Sequence, residues 1–159
     1  MATATITPDH DMIDAQSHIA APPERVFQAS TDPRQLVQRW GQKGMYRTTR
    51  CEADLRVNGK WKSKGVMANG DTFEVGGEYL EVDPPRRLVY TWRASWMSDL
   101  PTTVRWELEP HEGGTLVKIH HSGFAGNAEA AKNHSQGWQL VLGWIQGFVG
   151  KGETIDSRA

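Results

Sequence analysis

Apolar positions in this chain change period once. From Tyr46 to Ser122 they alternate with polar ones, and from Asn127 to Val149 they recur at helical spacing. In the second stretch Trp138, Leu142, Ile145 and Val149 form a stripe that Val141 and Phe148 widen. Asn127 is placed to cap the start, Glu129 puts negative charge in the first turn, and Gly150 and Gly152 mark the end. The spacing predicts a helix of about 20 residues, roughly 30 Å long. An apolar face of that length needs a broad partner.

The alternating stretch supplies one. Arg50–Leu55, Lys60–Met67, Asp71–Val82, Arg87–Ser95, Thr102–Glu109 and Leu116–Ser122 read as strands. Asn69-Gly70 is a hairpin turn, since both residues tolerate positive φ. Asp83-Pro84-Pro85 breaks the sheet, Gly76-Gly77 marks a bulge, and a loop is expected at Ser98–Pro101. Upstream, Asp14–Ala21 reads as a first strand. Pro23–Ser30 follows as a short helix, and a second helix opens at Thr31-Asp32-Pro33 and runs to about Trp40. Gly41–Gly44 reads as a loop. Residues 1–12 are expected to be a disordered lead, 13–150 one domain and 151–159 a tail. The fold class is α+β: an antiparallel sheet of six or seven strands, one face covered by the terminal helix, with two short helices after the first strand.

Period-two parity assigns the faces. Leu88, Tyr90 and Trp92 point inward, as do Val104, Trp106 and Leu108, then Val117, Ile119 and His121; Trp61, Phe73 and Val75 join them. Nearly every charge on these strands falls on the other face. The inward aromatic rings either fill a core or line a cavity against the helix. In the second case the walls are Trp40, Trp61, Phe73, Tyr90, Trp92, Trp106, His121, Trp138, Leu142 and Ile145, with Trp40 near the mouth. Burying about 250 Å² of ligand there is worth about 6 kcal/mol before association costs, hence micromolar affinity or weaker.

Charge and composition narrow the chemistry. The 159 residues carry a net charge of −1, which disfavours nucleic acid and anionic membrane surfaces as partners. No apolar run reaches membrane-spanning length, and the N-terminal residues lack a signal-peptide core. With Cys51 the only cysteine, no internal disulfide forms, which fits a reducing, cytoplasmic setting. Asn133-His134-Ser135 matches a glycosylation sequon inside the predicted helix and reads as coincidence. There is no P-loop, GxGxxG or GxSxG, so no cofactor is implied. Adjacent His120 and His121 point to opposite faces. His134 could approach His121, giving at most two metal ligands, so no metal site is expected. Glu107 and Glu109 face outward, and Cys51 reads as a buried structural thiol. His121 is the inward titratable group, either a hydrogen-bonded core histidine or a polar anchor and candidate general base. Trp144 lies off the helix stripe. It is a candidate for an exposed patch or homodimer contact, or else packs on a strand or loop.

Five ordered blocks carry a resemblance: IAAPPERVFQASTDPRQLVQRW, LRVNGKW, GGEYLEVDPPRRLVYTW, GGTLVKIHHSGF and the GW of the last helix. Over about residues 14–149 the chain resembles the family named for the activator of the heat-shock protein 90 ATPase, within the START-like (SRPBCC) superfamily. The resemblance implies a helix-grip fold with a tunnel between sheet and helix. It also implies a range of roles: lipid or other small-ligand carriage, cyclase, dehydratase or hydrolase chemistry with His121 as acid or base, or a chaperone-linked, stress-related interaction. The eponymous co-chaperone has a separate N-terminal domain contributing to ATPase stimulation, and no counterpart of it is expected within these 159 residues. The expectation is therefore a binder of a small apolar or aromatic molecule.

Overall fold

In the computed structural model, which describes residues 2–95, 101–124 and 127–157, the chain forms nine strands and three helices. The first strand is β1 (Thr3–Ile6), followed by β2 (Met12–Ile19) and the helices α1 (Pro23–Thr31) and α2 (Pro33–Arg39). Then come β3 (Gly41–Gln42), β4 (Tyr46–Ala53), β5 (Lys60–Met67), β6 (Thr72–Asp83), β7 (Arg87–Ala94), β8 (Thr102–His111) and β9 (Gly114–Ser122). Helix α3 (Ala128–Lys151) closes the fold. The strands form one antiparallel sheet ordered β1-β2-β9-β8-β7-β6-β5-β4-β3. Among the described residues, no helix is long and apolar enough to cross a membrane.

Local chemistry sets the helix boundaries. Pro23 and Pro33 occupy the first turns of α1 and α2, where a missing N–H costs nothing. Asp32 caps α2 by accepting from the Arg34 N–H. Asn127 accepts from the Ala130 N–H at the start of α3, and Gly152 ends it at φ 69°. At 24 residues, α3 is about 36 Å long.

Parity holds where it was assigned. Leu88, Tyr90, Trp92, Val104, Trp106, Leu108, Val117, Ile119 and His121 are all buried. Several expectations are corrected. Thr3–Ile6 is an edge strand, because Ala4 and Ile6 alternate onto the core when β1 pairs with β2. Gly41–Gln42 is a short strand paired with β4 rather than loop, so the sheet has nine strands. The β6 bulge sits at Leu80, between the Tyr79–Tyr90 and Glu81–Val89 pairs, and not at Gly76-Gly77. Parity therefore runs unbroken through Tyr79, which is buried, while Leu80 is pushed out to 46% exposure. The segment after α3 folds back onto α2. Ile155 is buried, and its N–H donates to the Gln38 carbonyl of α2. Of the expected loop at Ser98–Pro101, residues 98–100 lie outside the described residues.

Gly77 serves close approach rather than bulging. A Cβ there would lie 1.9 Å from the Thr91 carbonyl oxygen, and the neighbouring Glu78 N–H donates to Thr91 Oγ1. Backbone this close cannot accept a methyl group without shifting β6 away from β7. Gly77→Ala is expected to lower stability by about 1–3 kcal/mol in urea unfolding, the usual cost of overpacking.

Candidate functional site

Between the sheet's concave face and the first half of α3 lies a cavity of about 620 Å³. From α3, His134, Gly137, Trp138 and Val141 face it at i, i+3, i+4 and i+7. Trp40 enters from the end of α2, Tyr46 and Cys51 from β4, and Trp61 and Ser63 from β5. Phe73, Val75 and Tyr79 come from β6, and Leu88, Tyr90 and Trp92 from β7. Met67, Thr72, Ser95 and Asn133, all exposed, form the rim.

The structure thus brings together Trp40, Trp61, Phe73, Tyr90, Trp92, His121 and Trp138. It does not bring Trp106, Leu142 or Ile145 to the cavity. All three are at most 1% exposed and belong to the solid core. Ile145 lies two turns beyond Trp138, past the end of the space. Trp106 stands behind the wall, edge-on to Trp138 at 5.7 Å, and its Nε1–H donates to the Tyr90 hydroxyl at 3.0 Å. Tyr79, Tyr46 and Gly137 were missed. Tyr79 shares the parity of Phe73 and Val75, which placing the bulge at Leu80 would have revealed. Gly137 is legible as a glycine on the helical face of Trp138 and Val141. Tyr46 carries no clear signal.

The rings brace one another. Trp40 lies nearly parallel to Trp92 (24°, centroids 6.3 Å apart) and edge-on to Trp138. Trp61 contacts both Tyr90 and Trp92, and Tyr46 contacts Phe73 and Trp144. Trp144 is therefore not an exposed patch. It is 5% exposed, and its Nε1–H donates to Gln42. Cys51 donates to Ser63, and burial pushes its thiol up, away from the reactive thiolate. Burial likewise raises the Tyr46 and Tyr79 hydroxyls to about 12.

His121 is fully buried and its protons can be assigned. Trp138 Nε1–H donates to Nδ1 at 3.0 Å, so Nδ1 carries no hydrogen. Nε2, 2.6 Å from Thr102 Oγ1, must hold the proton and donate; the Thr102 hydroxyl in turn donates to the Trp92 carbonyl at 3.1 Å. Burial, and secondarily His134, hold this imidazole well below its usual 6.5. With its lone pair taken by an indole and its proton given to a threonine, the ring matches the hydrogen-bonded core histidine of the two readings, and neither nitrogen is free in this structure. His134 does approach it, with centroids 5.4 Å apart, but turns its Nδ1–H to the Ala130 carbonyl at 2.9 Å. Among the described residues, no three His, Cys, Asp or Glu side chains are grouped to hold a metal ion.

A model of the family described as "Activator of Hsp90 ATPase homolog 1-like protein" matches residues 20–150. No curated protein matches the chain. Among solved structures, protein CV1439 from Chromobacterium violaceum is 29% identical, with a TM-score of 0.75 over 87% of this chain and 97% of that one. Protein Ms6760 from Mycobacterium smegmatis is 21% identical, with a TM-score of 0.81 over 95% and 98%. An AHSA1-like protein from Aeromonas hydrophila is 22% identical, with a TM-score of 0.76 over 89% and 93%.

Two outcomes test the histidine assignments. Thr102→Val leaves the His121 N–H buried without an acceptor and is expected to cost about 1–3 kcal/mol in chemical denaturation. Burial depresses both His121 and His134 in the folded chain, so the unfolded chain binds protons first as pH falls. Stability is therefore fully present above about pH 6.5 and is lost below it, by up to about 1.4 kcal/mol per pH unit for each ring. Denaturation at pH 7.5, 6.5 and 5.5 reads this, and His134→Leu should remove one ring's share of the slope.

Proposed function

The chain belongs to the family of Activator of Hsp90 ATPase homolog 1-like proteins, and from that premise we propose that it is a non-catalytic binder of a small, mainly apolar aromatic molecule held between sheet and helix. The observation that carries this reading is the aromatic-walled cavity. Its volume of about 620 Å³ lies within the usual range for small-molecule sites.

The space is too large to be a packing defect. As a sealed void, 620 Å³ at about 24 cal/mol per Å³ would cost on the order of 15 kcal/mol, as much as the whole stability of a domain. The exposed rim of Met67, Thr72, Ser95 and Asn133 opens it to solvent instead. Water against indole and phenol faces is poorly held, and an apolar guest that displaces it gains roughly 25 cal/mol per Å² buried. His121 favours binding over turnover, because its two nitrogens are already committed within the protein.

Gly137 offers a clean test. It sits inside α3, where glycine costs about 1 kcal/mol relative to alanine. A Cβ there would meet nothing within 4 Å. Gly137→Leu is expected to leave the melting temperature unchanged or raised while its side chain enters the cavity. Affinity for 2-naphthol, measured by calorimetry, should then fall at least about tenfold. Equal binding by the variant and the parent, or no binding of 2-naphthol by the parent, would count against the reading.

A further inference from the structure

Resting on that binding role, the cavity wall also carries a statement about the guest. None of its described lining residues is Asp, Glu, Lys or Arg. Its two histidines are held neutral by burial, and its tyrosines keep their protons. Arg39, fully buried, stands behind the wall: its Nε donates to the Ala29 carbonyl, and its guanidinium lies over the Trp40 indole, 5.2 Å from the ring centroid. An ionised guest would thus enter a low-dielectric space with no opposite charge on the wall to replace its lost hydration.

The wall is not polar-free, however. Just behind its surface, Trp61 Nε1, Trp92 Nε1 and His134 Nε2 are buried with no hydrogen-bond partner among the described residues. The first two are N–H donors. The third is an acceptor, and its tautomer is fixed by geometry. A carbonyl oxygen can only accept, so the Ala130 carbonyl 2.9 Å from Nδ1 requires the hydrogen on Nδ1 and leaves the lone pair on Nε2. The three rings stand in a row: Trp61 is 5.6 Å from Trp92, and Trp92 is 6.3 Å from His134, edge to face. Leaving such groups unmet in an apolar interior carries a desolvation cost, which a guest of matching polarity relieves and one lacking it does not. All three atoms are closed to solvent, so a small ring shift must accompany contact, and a bond formed there does not compete with water.

We propose that the guest is an uncharged, planar aromatic alcohol of the phenol class, whose hydroxyl donates to His134 Nε2 and whose oxygen atoms accept from the Trp92 and Trp61 indole N–H groups. His134, not His121, is then the ligand-recognising histidine. It supplies the one imidazole lone pair on the cavity wall that no described protein group uses.

Three matched probes test this by calorimetry at pH 7.5 on the full chain: 2-naphthol, which can donate; 2-methoxynaphthalene, which can only accept; and 2-naphthoate, which is anionic. The parent should bind 2-naphthol about tenfold more tightly than 2-methoxynaphthalene and should not measurably bind 2-naphthoate. His134→Leu should bring the naphthol-to-methoxynaphthalene ratio close to one. His134→Gln, whose amide oxygen again accepts, should restore most of the preference. Circular dichroism verifies that both variants fold, and the parent's ratio decides by itself if either does not. Equal affinity of the parent for the two neutral probes overturns the proposal while leaving the cavity a general apolar binding site. Tighter binding of 2-naphthoate overturns it in favour of an anionic guest drawn by Arg39. Failure of both neutral probes to bind removes the binding role itself, and this proposal with it.

Discussion

A hydrogen bond between an indole and an imidazole ties the long helix to the sheet, and much of the architecture follows from it. Trp138 of α3 donates to His121 of β9, His121 to Thr102 of β8, and Thr102 to the backbone of Trp92 on β7. The chain crosses from helix to sheet and along three adjacent strands in a dry interior, where each bond is strengthened by its surroundings and each missing partner is costly. It fixes the distance between α3 and the strands at one point. Beyond that point Leu142 and Ile145 pack solidly. Around it, His134, Gly137 and Val141 of α3 border the cavity.

The cavity persists because the side chains bounding it are stiff. Indole and phenol rings are rigid planes with two torsions each and cannot fold into a gap as methionine, with three, would. Trp40, Trp61, Trp92 and Trp138 lean on one another edge to face or at shallow tilt, and each is also held by the element it stands on. Gly137 contributes by having no side chain at the point where the helix passes the space. Rigidity on the walls and emptiness on the helix are complementary: either alone would let the interior close.

How much of this was legible depends on whether the determining interaction was local. The lengths of α1, α2 and β5, the Asn127 cap and the inward parity of β7, β8 and β9 rest on residues near in sequence, and the residue pattern showed them. His121 could be assigned to the interior, but its role could not. Whether its lone pair was free depended on Trp138, 17 residues away, and its proton on Thr102, 19 residues away. The strands β1 and β3 were missed because four and two residues show too little alternation, and each exists through pairing with a neighbour. Trp106, Leu142 and Ile145 have the right parity or helical spacing for the cavity and still belong to the core, because periodicity assigns a face but not which part of that face the space borders. Phase alone left Trp144 open between an exposed patch and packing on a strand or loop; contacts with Gln42 of β3 and Tyr46 of β4 decide for packing.

The distribution of protons in the interior also bears on what such a site can do. Acid–base catalysis needs a group whose ionised and neutral forms are both accessible near the working pH. Here burial moves the imidazoles down and the phenols and the thiol up, so each group is pressed towards its neutral form. Among the described residues, no carboxylate lines the space to oppose this by pairing. An interior of this kind would recognise a guest by shape and by uncharged hydrogen bonds, its selectivity set by donors and acceptors that a wrong guest leaves unmet. The sheet and helix provide the volume, and in the proposed role Trp61, Trp92 and His134 would provide its polarity.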